Sequence, residues 1–107
     1  MYATAQFVPH FGYNSLFPFA LQLLLPGSTE FGTMLEQLER KDLLWTQYGL
    51  RSLAKSSSIY MKHNTAQDAP YWRGAIWINV NFLTLRSLHA CSQCAPPAHT
   101  LVCQMSA

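Results

Sequence analysis

The apolar positions of this chain fall into three blocks, set apart by turn residues and by one long stretch with no period. In the first block, Leu16, Phe17, Phe19, Leu21, Leu23, Leu24 and Leu25 cover almost the full circumference of a helix. A helix apolar all round belongs inside a protein. Ser15 can cap it, its first turn tolerates Pro18, and Pro26-Gly27 ends it. The second block is different. Phe31, Met34, Leu35 and Leu38 recur at i, i+3, i+4 and i+7, which predicts an amphipathic helix from Ser28 to about Arg40. Ser28 is its N-cap and Glu30 lies in its positive first turn, while Glu36 and Glu39 fall off the apolar stripe onto a wet face.

From Asp42 to Pro70 the periodicity is lost. The interleaved Trp45, Tyr48, Leu50, Leu53, Ile59 and Tyr60 predict a packed loop there, and loops of this length are usually functional or disordered. The third block is ambiguous. Ile76, Ile78, Val80 and Phe82 alternate with Trp77, Asn79 and Asn81 as a strand would, yet the apolar run continues through Leu83, Leu85 and Leu88. That is about four helical turns, and segments longer than about ten residues favour a helix. Two all-round apolar helices with an amphipathic one between them predict an all-α protein with inner and outer layers.

Composition reinforces the picture of a piece meant to be covered. Half of the 107 residues are hydrophobic, 13% are aromatic and only 11% are charged, against roughly 25% charged in an average domain. The length fits one domain at most. A net charge of +2, spread along the chain, argues for neither nucleic acid nor an anionic membrane. The longest apolar block is broken by Pro18 and Gln22 and is too short to span a bilayer, and the N-terminus lacks the pattern of a signal peptide.

Candidate chemistry is sparse. There is no Gly-rich phosphate loop, nucleophile elbow or HExxH, and no cofactor is expected. Five carboxylates, Glu30, Glu36, Glu39, Asp42 and Asp68, offer no evident acid–base pair, so no catalytic residue is assigned. His89, Cys91, Cys94, His99 and Cys103 have spacings that could serve zinc, but the second ligand pair of a tetrahedral site is missing, so no metal site is assigned. The bland alternative is an irregular Cys/Pro tail over 91–107. In "PYWRG", Tyr71, Trp72, Arg73 and Gly74 are either interior packing, with Arg73 tied to a carbonyl or an acid, or a sugar-binding wall. Aromatic faces stack on a pyranose, and guanidinium donors match its hydroxyls. Composition leaves both open.

Three strings carry a resemblance: "HFGYNSLFPFALQLLLP", "LWTQYGLRSLAKSSSIY" and "PYWRGAIWINVNFLTLRSLH". In order and spacing they resemble consecutive segments of glycoside hydrolase family 63, the processing glucosidase I family, over about residues 7–89. The resemblance implies that residues 1–90 are a fragment of an (α/α)6 barrel. It implies an inverting glycosidase of the endoplasmic reticulum lumen that removes the terminal α-1,2-linked glucose from a glucosylated high-mannose N-linked oligosaccharide. Tyr71, Trp72, Arg73 and Gly74 become substrate-binding residues and Tyr48–Ser52 a neighbouring loop. The family's acid lies upstream of this window and its base downstream, so the chain by itself is expected to be inactive. The change of character after His89 reads as a truncation or a spliced product. Two rivals remain: a non-catalytic interaction fragment that pairs through its apolar faces, and a small zinc protein using the tail.

Overall fold

A computed structural model describes residues 7–92. Three helices carry most of the regular structure: α1 (Tyr13–Ala20), α2 (Thr29–Leu38) and α3 (Ile78–Cys91). Between α2 and α3 lies a two-stranded antiparallel sheet of β1 (Trp45–Thr46) and β2 (Gly49–Leu50), so the expected all-α class is corrected to a mostly helical one with a small sheet.

Helix α1 starts three residues earlier than the apolar pattern suggested and stops five residues sooner. Gly12, in extended conformation, is its N-cap. Ser15 sits inside the first turn, and its Oγ accepts the Gly12 N–H at 3.3 Å. The early stop has a local cause. Gln22 adopts φ 59°, its N–H donates to the Phe19 carbonyl, and the next N–H, of Leu23, donates to that of Pro18. This pair of bonds around a left-handed residue caps the helix carbonyls and turns the chain away. Leu21, Leu23 and Leu25 consequently lie outside the helix and are exposed, with only Leu24 packed against the core.

Helix α2 follows its sequence pattern. Ser28 Oγ accepts the Phe31 N–H at 3.2 Å, and Phe31, Leu35 and Leu38 are buried with Met34 beside them. Phe31 meets Phe19 of α1 with ring centroids 5.7 Å apart. Helix α3 packs against α1 through Val80, Thr84, Ser87 and Leu88. The two polar members of that face are fully buried and satisfied: Ser87 Oγ donates to the Ala20 carbonyl at 2.8 Å and Thr84 Oγ1 to Val80 at 2.9 Å. Burying hydroxyls with backbone partners avoids the cost of an unpaired polar group. The opposite face of α3 is not covered, and Ile78 and Phe82 stand exposed. An all-round apolar sequence has thus produced a one-sided burial.

Residues 42–70 divide into two halves. Leu43, Leu44, Leu50, Leu53 and Ala54 are buried, whereas 61–69 are exposed throughout. Residues 51–54 run extended between two antiparallel neighbours. On one side Tyr13 N–H and Ala54 N–H bond the carbonyls of Ser52 and Phe11. On the other, Ser52 N–H bonds the Ala75 carbonyl and Arg51 bridges Ile76. Strand and helix are therefore both present in the third block: Ile76 pairs as extended chain, and helix begins at Ile78.

Candidate functional site

One polar knot joins the first helix, the hairpin and the last helix. The Tyr13 hydroxyl donates to the Leu50 carbonyl at 2.6 Å and accepts from the Trp77 N–H at 3.0 Å. Asn81 meets the same residue with both ends of its amide: Oδ1 accepts the Leu50 N–H at 2.7 Å and Nδ2 donates to its carbonyl at 3.0 Å. The Asn81 side chain thereby acts as one more strand beside β2. Nδ2 also lies 2.9 Å from the Trp77 carbonyl and 3.2 Å from the Tyr13 hydroxyl. Burial pushes the Tyr13 phenol above its ordinary value of 10.0, only partly offset by its bonds with Trp77 and Asn81.

The knot sets the start of α3, and with it the Tyr71–Gly74 turn. Trp77 is N-cap of α3, and its indole Nε1 donates back to the Tyr71 carbonyl at 2.9 Å. Its ring stacks on Trp72 at 4.4 Å and 18°, and Trp72 in turn meets Tyr13 edge-on at 6.3 Å. Gly74 is buried and donates its N–H to Ser52 Oγ at 3.0 Å. At φ +147° a side chain is strained, and an added Cβ would lie 2.6 Å from Met61 Sδ and 2.8 Å from Tyr60 Cε2. Only glycine lets the turn lie this close to the 60–61 segment.

The four residues expected at a sugar wall are thus contiguous but differently placed. Tyr71 and Trp72 are each about half exposed and Gly74 is the buried pivot. Arg73 directs Nη1 to the carbonyls of Lys62 and His63 at 3.4 and 3.3 Å, and its own carbonyl accepts the Met61 N–H. The guanidinium holds the exposed loop to the turn. A separate groove of about 500 Å³ opens between the hairpin and α3, lined among others by Trp45, Gln47, Tyr48, Asn81 and Phe82. None of Tyr71 to Gly74 lines it.

The acidic residues stay dispersed. Asp42 forms an exposed pair with Arg40, whose hydrogen bonds hold its carboxyl below the ordinary carboxylate range. Asp68 accepts the Thr65 hydroxyl at 3.0 Å. Among the described residues no cluster of three or more His, Cys, Asp or Glu could hold a metal. Cys94, His99 and Cys103 of the zinc pattern lie outside those residues. Sequence reasoning overlooked Tyr13 and Asn81 as organising residues. Asn79 and Asn81 in an otherwise apolar run were the signal for one of them, and only the structure shows Asn81 turned to the hairpin.

The whole segment has known counterparts. The sequence model for the glycosyl hydrolase family 63 C-terminal domain matches residues 2–105. Over 82 residues, 77% of this chain, it is 51% identical to mannosyl-oligosaccharide glucosidase GCS1 of Arabidopsis thaliana, covering 10% of that protein. It is 49% identical over 82 residues, 77% of the chain, to alpha-glucosidase 2 of Arabidopsis thaliana, again 10% of the relative. It is 35% identical over 83 residues, 78% of the chain, to mannosyl-oligosaccharide glucosidase of Saccharomyces cerevisiae, covering 9% of it. The chain therefore spans about a tenth of the length of the curated relatives it matches.

Proposed function

This chain belongs to glycosyl hydrolase family 63, and on that premise we propose that it contributes one wall of the sugar site of a glucosidase I-type catalytic domain. The observation that carries the reading is the Trp72–Trp77 stack beside Tyr71, with Trp72 55% exposed and seated on a turn that Gly74 fixes. A rigid, half-exposed indole offers an apolar face to a pyranose at little cost in conformational freedom. The Tyr71 hydroxyl supplies a polar handle next to it.

The wider architecture in this reading is an (α/α)6 barrel, in which α1 and α3 face inward and α2 lies outside. The exposed Ile78 and Phe82 of α3 are then covered by other barrel helices. The same exposure also suits the second reading, a fragment that binds another protein through this face. The substrate class is an N-linked oligosaccharide, a glucosylated high-mannose glycan losing its terminal α-1,2-linked glucose, and the compartment is the endoplasmic reticulum lumen.

Inverting hydrolysis needs one carboxylic acid to protonate the leaving oxygen and one carboxylate to activate water on the opposite face, about 6.5–9.5 Å apart. Glu30 and Glu36 lie on α2, Glu39 is its C-cap, Asp42 is paired with Arg40, and Asp68 is bound to Thr65. None of these forms an acid–base pair, and the acid and base come from elsewhere in the catalytic domain. A graft of residues 7–89 into the matching span of the Arabidopsis relative tests this. The graft is expected to hydrolyse a triglucosylated glycan and the isolated chain to give no turnover. Turnover by the isolated chain would overturn the assignment of the catalytic pair, and a folded but inactive graft would overturn the sugar-wall reading.

A further inference from the structure

Arg51 carries a polar demand that the described residues leave open. Its Nη1 is buried without a hydrogen-bond partner, alone among the side-chain nitrogens and oxygens of the described residues in this respect. Its Nε and Nη2 make no hydrogen bond among the described residues either, and they are not sealed as Nη1 is. All five carboxylate side chains of the protein lie within the described residues, and none pairs with Arg51. A guanidinium does not lose its proton, so the charge stays. A half-buried charge without a counter-ion is costly.

The group is nonetheless held in place. Arg51 donates its backbone N–H to the Leu44 carbonyl at 2.8 Å and bridges Ile76. Its Cζ lies 5.7 Å from the centre of the Tyr60 ring. Tyr60 in turn packs so closely on Gly74 that no Cβ fits between them. The ring is wedged between Arg51 and the Tyr71–Gly74 turn, which holds the guanidinium with Nη1 sealed and leaves Nε and Nη2 as the nitrogens a ligand could reach. Their edge is a planar two-donor fork, the geometry that binds a carboxylate through two parallel hydrogen bonds.

We propose that Arg51 anchors a carboxylate which this chain does not carry, bound side-on by Nε and Nη2. The anchor stands independently of the sugar-wall reading. The carboxylate comes either from an Asp or Glu elsewhere in a family 63 catalytic domain or from a free acid.

The test uses the full 107-residue chain and acetate as the probe, at neutral pH and with chloride as the ionic-strength control. Acetate should move the Arg51 Nε–H resonance in a saturable way and raise the melting midpoint. The midpoint shift should vanish in Arg51→Met, and acetate should bind Arg51→Lys about tenfold more weakly, because an ammonium keeps the charge and loses the fork. An equal effect of acetate on wild type and Arg51→Met overturns the proposal. So does a resonance moved by methyl α-glucoside and not by acetate, or by neither. If Arg51→Met does not fold, the wild-type resonance decides by itself. In the family graft, loss of the Arg51-dependent acetate effect places the carboxylate within the catalytic domain, and its persistence places it outside.

Discussion

Around Asn81 the chain closes its polar groups onto one another, whereas ten residues earlier, at Tyr71 and Trp72, it leaves aromatic rings to face solvent. Asn81 is partly buried and spends its whole amide on Leu50, Trp77 and Tyr13, residues that come together from 68 positions of sequence. Tyr71 and Trp72 are half exposed and are held by one another's neighbours: an indole N–H, a stacked ring and a glycine. The first region is scaffold and the second is what the scaffold presents. Low-dielectric, fully paired networks lock geometry, and a binding surface can afford half-exposed aromatics only if such a network sits behind it.

The comparison breaks hardest at Asn81. Asn81→Leu removes the partner of the Leu50 N–H and half of those of its carbonyl, in a site where Leu50 itself is 1% exposed. A loss of about 3 kcal/mol is expected from leaving that buried donor without a partner and stripping the Asn81 amide from the Leu50 and Trp77 carbonyls, measured as the urea midpoint by tryptophan fluorescence. Next comes Gly74→Ala, which sits on the border of the two regions. The +147° φ and the Met61 and Tyr60 contacts should cost about 2 kcal/mol. The thioether can give way but the backbone angle cannot.

Tyr13→Phe should cost about 1–2 kcal/mol, since it removes one donor and one acceptor from the knot while keeping the ring against Trp72. It also has a signature in pH. Burial holds the folded phenol above 10.0, so the neutral form is favoured in the fold. Its contribution is fully present below the unfolded value and is lost as pH rises from there through the folded one. Urea midpoints of wild type should therefore fall more than those of Tyr13→Phe above about pH 10. An equal fall in both would remove Tyr13 from the knot.

Much of the layout could be read from the residues, and its gaps have physical causes. Helix α2 was legible because cap, first-turn acid and apolar stripe all agree at Ser28, Glu30 and Phe31 to Leu38. The end of α1 was not, because a left-handed Gln22 is a backbone choice that its side chain does not announce. The hairpin was missed because four paired residues, Trp45, Thr46, Gly49 and Leu50, are too few to show a period of two. Membership of the family was legible in the long "PYWRGAIWINVNFLTLRSLH" string and its two companions, each borne by contiguous residues. The Tyr13–Asn81 contact was not, since it depends on three segments meeting in space.

The smallest expected change in stability sharpens the comparison most. Trp72→Ala removes a ring that is already 55% exposed, and its stacking on Trp77 and edge contact with Tyr13 are worth about 1 kcal/mol in total. The knot behind it keeps all its hydrogen bonds, because Trp77 is tied through its own N–H groups to Tyr13 and Tyr71. In the family graft the same substitution should lower glucosidase kcat/KM by about five- to tenfold, one aromatic contact with the sugar ring being worth about 1–1.5 kcal/mol. Trp72→Phe should recover most of that loss, since a phenyl face still stacks. Asn81→Leu, where the graft still folds, should lower the melting midpoint more than Trp72→Ala and kcat/KM less. The reverse order would mean that the exposed stack is structural and that the sugar binds elsewhere, with the groove between the hairpin and α3 the next place to look.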